Sequence, residues 1–165
     1  MSKLYVDEIR PKTAGKQVTM PEKPSFHVRL NTAKTTQNFT TLGDVPFDTI
    51  DHNIGSCVAI TNEVAVFTAP VDGVYHFSLN VSIDSLASAN WVSTSLYIDN
   101  AQTGGSEDKS YRNLEDGISA DYQTAASSFT IQLNANQTVQ PKLQISGDSS
   151  VSIRAATRFS GFLIG

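Results

Sequence analysis

Cysteine is nearly absent from this chain: Cys57 stands alone among 165 residues, so no intrachain disulfide holds the fold. Helix formers do not dominate, and no stretch sustains a 3.6-residue apolar period, which argues against a helical bundle. Charge is scarce, at 17% of residues, too low for a disordered chain kept open by its own charge. The net charge of −4 has the wrong sign for a general nucleic-acid binder, which needs a basic surface against phosphates. No apolar run approaches the roughly 20 residues of a membrane-spanning helix, so membrane insertion is not expected. Residues 1–12 lack the apolar centre of a secretory signal, which points to synthesis in a reducing compartment.

What fills the space is uncharged polarity. Ser, Thr, Asn and Gln together make up 53 residues, about a third of the chain. The charge is also unevenly placed. Residues 1–34 carry seven basic and three acidic side chains, whereas the rest carry five basic and thirteen acidic ones. A basic leader on an acidic body suggests two parts with different surroundings. Pro21 and Pro24 bracket a short polar stretch and mark the hinge between them. The reading is an extended N-terminal arm over residues 1–23 and a folded domain over residues 24–165.

The body alternates at period two. Phe26, Val28 and Leu30 alternate with polar neighbours, and Tyr75, Phe77, Leu79, Val81 and Ile83 hold the pattern through a long run. Shorter runs follow at 64–67, 91–98, 128–133, 142–145 and 150–154. Turn formers separate them, notably at 70–73, 99–100, 104–105 and 147–148. This predicts an all-β sandwich or jelly roll whose strands each bury one face. Residues 101–126, rich in Gly, Ser and acidic residues, read as long surface loops around one or two edge strands.

Four stretches resemble the globular head of complement C1q. Residues 25–31 are similar to its opening strand. Phe67, Gly73, Tyr75 and Phe77 stand at the spacing of its central signature. Phe47 and Asn53 resemble the start of that signature, and residues 158–164, with Phe159, Gly161 and Phe162, are similar to its closing strand. Departures occur at Val58, at Leu79 and over 133–139, and they set aside any family-specific ligand. The resemblance implies a ten-strand jelly roll related to tumour necrosis factor and assembled as a homotrimer. The sequence agrees in one respect. The closing segment carries Phe159, Phe162, Leu163 and Ile164, apolar residues of both strand phases, so it needs cover on two sides.

The leader carries a second resemblance. Residues 1–21, with Leu4, Tyr5, Val6, Ile9 and Arg10, are similar to the leader of tail-fibre and other virion appendage proteins of tailed bacteriophages, notably cyanophages. This implies a structural virion protein docked on other virion proteins through its arm, with the trimeric body as a fibre or knob that contacts a host-surface glycan or protein. Two other expectations stand beside it: a capsid decoration protein that binds no receptor, and a cellular ligand related to complement or cytokine heads.

Catalytic chemistry is not expected. There is no Gly-x-Ser-x-Gly elbow, no phosphate loop after Gly104-Gly105, and no pair of histidines at zinc-ligand spacing. His27 and His76 fall on the polar phase of their strands, and His52 reads as a loop residue beside Asp51. Cys57 reads as a small buried apolar residue. No cofactor is expected beyond calcium, for which Asp44, Asp48 and Asp51 form one candidate cluster. Glu107, Asp108, Glu115, Asp116 and Asp121 form another. Tyr111 and Tyr122 are the candidate receptor-contact aromatics.

Overall fold

The computed structural model describes residues 23–86, 89, 91–99, 107–113, 120–147 and 149–165, with the backbone alone at 107–113 and 120–121. Thirteen strands and no helix occur among these residues. They are β1 (Ser25–Arg29), β2 (Lys34–Gln37), β3 (Gly43–Asp44), β4 (Thr49–Ile54), β5 (Val58–Thr61), β6 (Val64–Thr68), β7 (Gly73–Leu86), β8 (Trp91–Ile98), β9 (Glu107–Asn113), β10 (Ala120–Leu133), β11 (Thr138–Ser146), β12 (Val151–Ile153) and β13 (Arg158–Leu163). The expected count was ten. Short segments such as the two-residue β3 account for the difference, because they pair briefly with longer strands.

All the pairings are antiparallel and form two sheets. The first runs β2-β12-β7-β13-β1-β4, with β10 also on β7. β10 follows β7 over its whole length, from Ala120 opposite Leu86 to Leu133 opposite Gly73. The other edge of β7 is shared by β13 and β12. β10 and β4 are therefore edge strands. The second sheet runs β5-β6-β11-β8-β9, with β3 on β11. β9 and β10 bear out the expectation of edge strands within residues 101–126, although β10 starts well before the expected Ser128. Asn62 and Glu63, both at positive φ, make the two-residue turn between β5 and β6, the backbone sense that matches the twist of paired strands.

The period-two residues fill the space between the sheets. Phe26, Phe67, Tyr75, Phe77 and Phe159 are all buried and share one aromatic cluster. Phe26 lies 5.0 Å from Phe159 and 5.3 Å from Phe67, centroid to centroid, and Phe67 lies 5.2 Å from both Tyr75 and Phe77. Each such ring contributes its buried area plus about 0.5–1.5 kcal/mol per ring pair. Gly161 makes the cluster possible. A Cβ there would stand 2.6 Å from Phe77 and 2.7 Å from Phe26, so only a bare backbone lets these two rings, its cross-strand neighbours on β7 and β1, close over β13. The Tyr75 hydroxyl donates to the Val71 carbonyl at 2.8 Å, which satisfies the one polar atom of that ring.

The two ends of the described chain meet. Leu163 N donates to the Pro24 carbonyl at 3.0 Å, Val74 N donates to the Gly165 carbonyl at 2.8 Å, and Lys23 Nζ donates to the Ile164 carbonyl at 2.7 Å. The start of β1 and the end of β13 therefore define one end of the sandwich, and the segment preceding Lys23 enters there.

Candidate functional site

Alternation that puts one residue of a strand inside puts the next one outside. In β13, Phe159 is fully buried while Phe162 is 48% exposed. Ile164 follows in the same phase at 46%, and Leu163 packs on the core. Phe162 thus belongs to the outer face of the first sheet and not to the core aromatic cluster. Next to it, His76 of β7 stands opposite Phe162 in register, with ring centroids 5.3 Å apart. Its Nδ1 lies 3.3 Å from Thr130 Oγ1, and Ser128 Oγ lies 3.3 Å from its Nε2. Around these residues the face carries short side chains, among them Ser78, Ser160 and Ala126. It is a low, smooth surface with a greasy patch at the end where the chain termini meet.

Tyr122 lies towards the other end of the same face, exposed at 48%. Its hydroxyl sits 3.3 Å from Ser82 Oγ and accepts a bond from Thr124 Oγ1 at 3.2 Å. These bonds, with Ser82 first, hold its hydroxyl below the ordinary phenol pKa. The Arg154 guanidinium lies 4.9 Å from the Tyr122 ring centroid, and its Nη1 is 3.0 Å from both carboxylate oxygens of Asp84. The arrangement offers an aromatic ring held by a cation and fenced by hydroxyls. Tyr111 stands on β9 opposite Ser93 of β8 in register, so its backbone belongs to the other sheet from Tyr122. Its side chain lies outside the described residues.

The first acidic cluster does not assemble. Asp44 pairs with Lys142 Nζ at 2.6 Å. Asp48 accepts from the backbone N–H groups of Asn31 and Thr32 at 2.6 and 3.0 Å. Burial pushes its carboxyl up, but those donors outweigh burial and hold it below the ordinary carboxylate range. Asp51 accepts from Arg29 Nε at 2.9 Å. Each carboxylate is spent on a different partner, and among the described residues no three His, Cys, Asp or Glu side chains are grouped to hold a metal. Asp44, Asp48 and Asp51 therefore do not come together as the expected calcium cluster. Of the second cluster, Glu115 and Asp116 lie outside the described residues, as do the side chains of Glu107, Asp108 and Asp121. The arm residues Leu4, Tyr5, Val6, Ile9 and Arg10 also lie outside them.

His52 is not in a loop. It belongs to β4 and stands directly opposite His27 of β1. The sequence alone hides this pair, because 25 positions and an unpredicted strand separate its members. Cys57 matches its expected role: it is 2% exposed, and Sγ donates to the Ile54 carbonyl at 3.4 Å. Burial pushes its thiol pKa up, away from nucleophilic use.

The two antiparallel sheets, their aromatic filling and the paired first and last strands define a jelly roll of the C1q and tumour necrosis factor kind. A C1q domain model matches residues 25–164. The chain belongs to the C1q domain family. It is similar to the globular domain of zebrafish complement 1qA protein, with 20% identity and a TM-score of 0.61, covering 87% of this chain and 98% of that one. It is also similar to murine APRIL, with 10% identity and a TM-score of 0.62, covering 87% of this chain and 100% of that one. At these identities the solved structures speak for the fold. No curated protein matches the chain.

Proposed function

We propose that this chain is the trimeric fibre or knob of a tailed-phage virion, docked by residues 1–23 and contacting the host surface with its jelly roll. As a C1q-like domain it is a ligand or a structural protein, and the finer reading rests on two supports. The observation that carries assembly is that three of the five exposed large apolar side chains among the described residues, Phe162, Ile164 and Tyr122, share one sheet face, the other two being Ile50 and Val71. Covering a half-exposed Phe contributes about 1 kcal/mol per chain, and a closed three-fold ring leaves no open end for further addition. The phage assignment is supported by the resemblance of residues 1–21 to appendage leaders. Three copies of one surface then convert weak contacts into avidity without a deep pocket. The Tyr122 and Arg154 group is the proposed receptor contact wherever assembly leaves it open.

Immunogold electron microscopy of the virions, with antibody raised against residues 24–165, tests the reading. Label at the tail tip is expected. Label spread over the head surface would instead establish the capsid decoration protein, and virions without label would remove both.

A further inference from the structure

β4 is an edge strand, paired only with β1 among the described residues, and its pairing is interrupted by a register shift between His27 and Val28. At that shift His27 and His52 stand opposite each other with ring centroids 6.2 Å apart. The charged groups around them are few and unbalanced. Arg29 comes from β1, Asp51 from β4 and Arg158 from β13, where Arg158 pairs with Arg29 in register. Two guanidinium groups thus share one carboxylate, and Arg29 already holds Asp51 Oδ1 at 2.9 Å.

The position of His27 Nε2 makes the imbalance matter. The atom is walled off from water and has no hydrogen-bond partner, and the nearest carboxylate oxygen, Asp51 Oδ2, lies 3.8 Å away. A proton placed there gains no hydrogen bond in the present geometry, and it adds charge beside two arginines. We propose that protonation of His27, which stands opposite His52, releases β4 from β1, making this edge an acid-sensitive latch while the inner strands stay paired. Two features localise the release. Among the described residues the other edge of β4 carries no ladder, and the Asn53 amide ties the end of the strand to Val58.

The pH window follows from the sign of linkage. Burial first, and then the nearby positive charges, outweigh Asp51 and hold the His27 imidazole below its ordinary value of 6.5. A base with a depressed folded pKa leaves stability intact above the unfolded value. That stability is lost as pH falls from 6.5 towards the folded value. Asp51 does not contribute in this window. The Arg29 bond first of all holds its carboxyl below the ordinary 3.8, so it stays ionised.

Hydrogen exchange of the full chain at about pH 7 and about pH 5, corrected for intrinsic rates, tests the latch. Residues 49–54 should lose protection by about tenfold while the β7–β13 amides hold theirs. In the His27→Gln/His52→Gln double variant the loss should vanish. A second reading uses the wild type alone: the NMR titration of the His27 ring should share its midpoint with the β4 amide shifts. Equal loss in wild type and variant, parallel loss in β7 and β13, separate midpoints, or gained protection in β4 at acid pH would each overturn the proposal. Subunit dissociation with β4 unchanged would also overturn it, yet leave the assembly reading intact.

Discussion

Phe159 and Phe162 sit three positions apart on β13, yet one is fully buried and the other is 48% exposed. The same contrast extends across the whole first sheet. Its inner face is a set of interlocked rings, Phe26, Phe77 and Phe159 among them, tolerating nothing larger than Gly161 between Phe26 and Phe77. Its outer face mixes small hydroxyl side chains with His76, Arg158 and Tyr122, and its most exposed apolar residues beside Tyr122 are Phe162 and Ile164. The inner face is complete within one chain. The outer face leaves Phe162 and Ile164 about half exposed, and the proposed assembly would cover them. Substitution at matched positions should therefore separate folding from assembly.

The sharpest test of that difference is Phe159→Ala beside Phe162→Ala. The inner truncation should cost about 3–5 kcal/mol of unfolding free energy, measured by urea denaturation below the concentration at which chains associate. Under the same conditions the outer one should cost under about 1 kcal/mol, yet raise the concentration needed for assembly. Equal costs for the two would erase the distinction between the faces. Next in size is Gly161→Ala, which drives a Cβ into two rings and should cost about 1–3 kcal/mol through overpacking. A neutral result in thermal denaturation would mean that β13 can lift away from the cluster. A more modest effect than either core change belongs to the second sheet. Asp44→Asn strips the partner from Lys142, whose side chain is only 8% exposed, but Asp44 itself is 39% exposed. Water can therefore reach the site, and the loss should be about 1 kcal/mol. A loss as large as that of Phe159→Ala would show that Lys142 is held as a fully buried charge.

The inner face was legible in the sequence because the strand period writes it out. Tyr75, Phe77, Leu79, Val81 and Ile83 alternate without a break, and all five are buried. The early part of β10 was not legible. Its sequence Ala120-Asp-Tyr-Gln-Thr-Ala-Ala-Ser127 has little apolar alternation, and it is held as strand by the ladder to β7. β4 was missed for a similar reason: Thr49-Ile-Asp-His-Asn-Ile54 reads as polar loop until β1 pairs with it. The site suffered from the converse error. Asp44, Asp48 and Asp51 are near neighbours in sequence, but pairing sends each to a different partner. His27 and His52, far apart in sequence, are brought face to face. Closeness along a β chain says little about closeness in space, because register and not spacing decides which side chains meet.

Sedimentation equilibrium of the full chain at micromolar concentration tests the proposed role of the outer face most directly. The account predicts a species of three chains, each of 17.8 kDa, that gives way to single chains in Phe162→Ser while the fold persists. A wild-type chain that stays monomeric and well behaved at that concentration would contradict it.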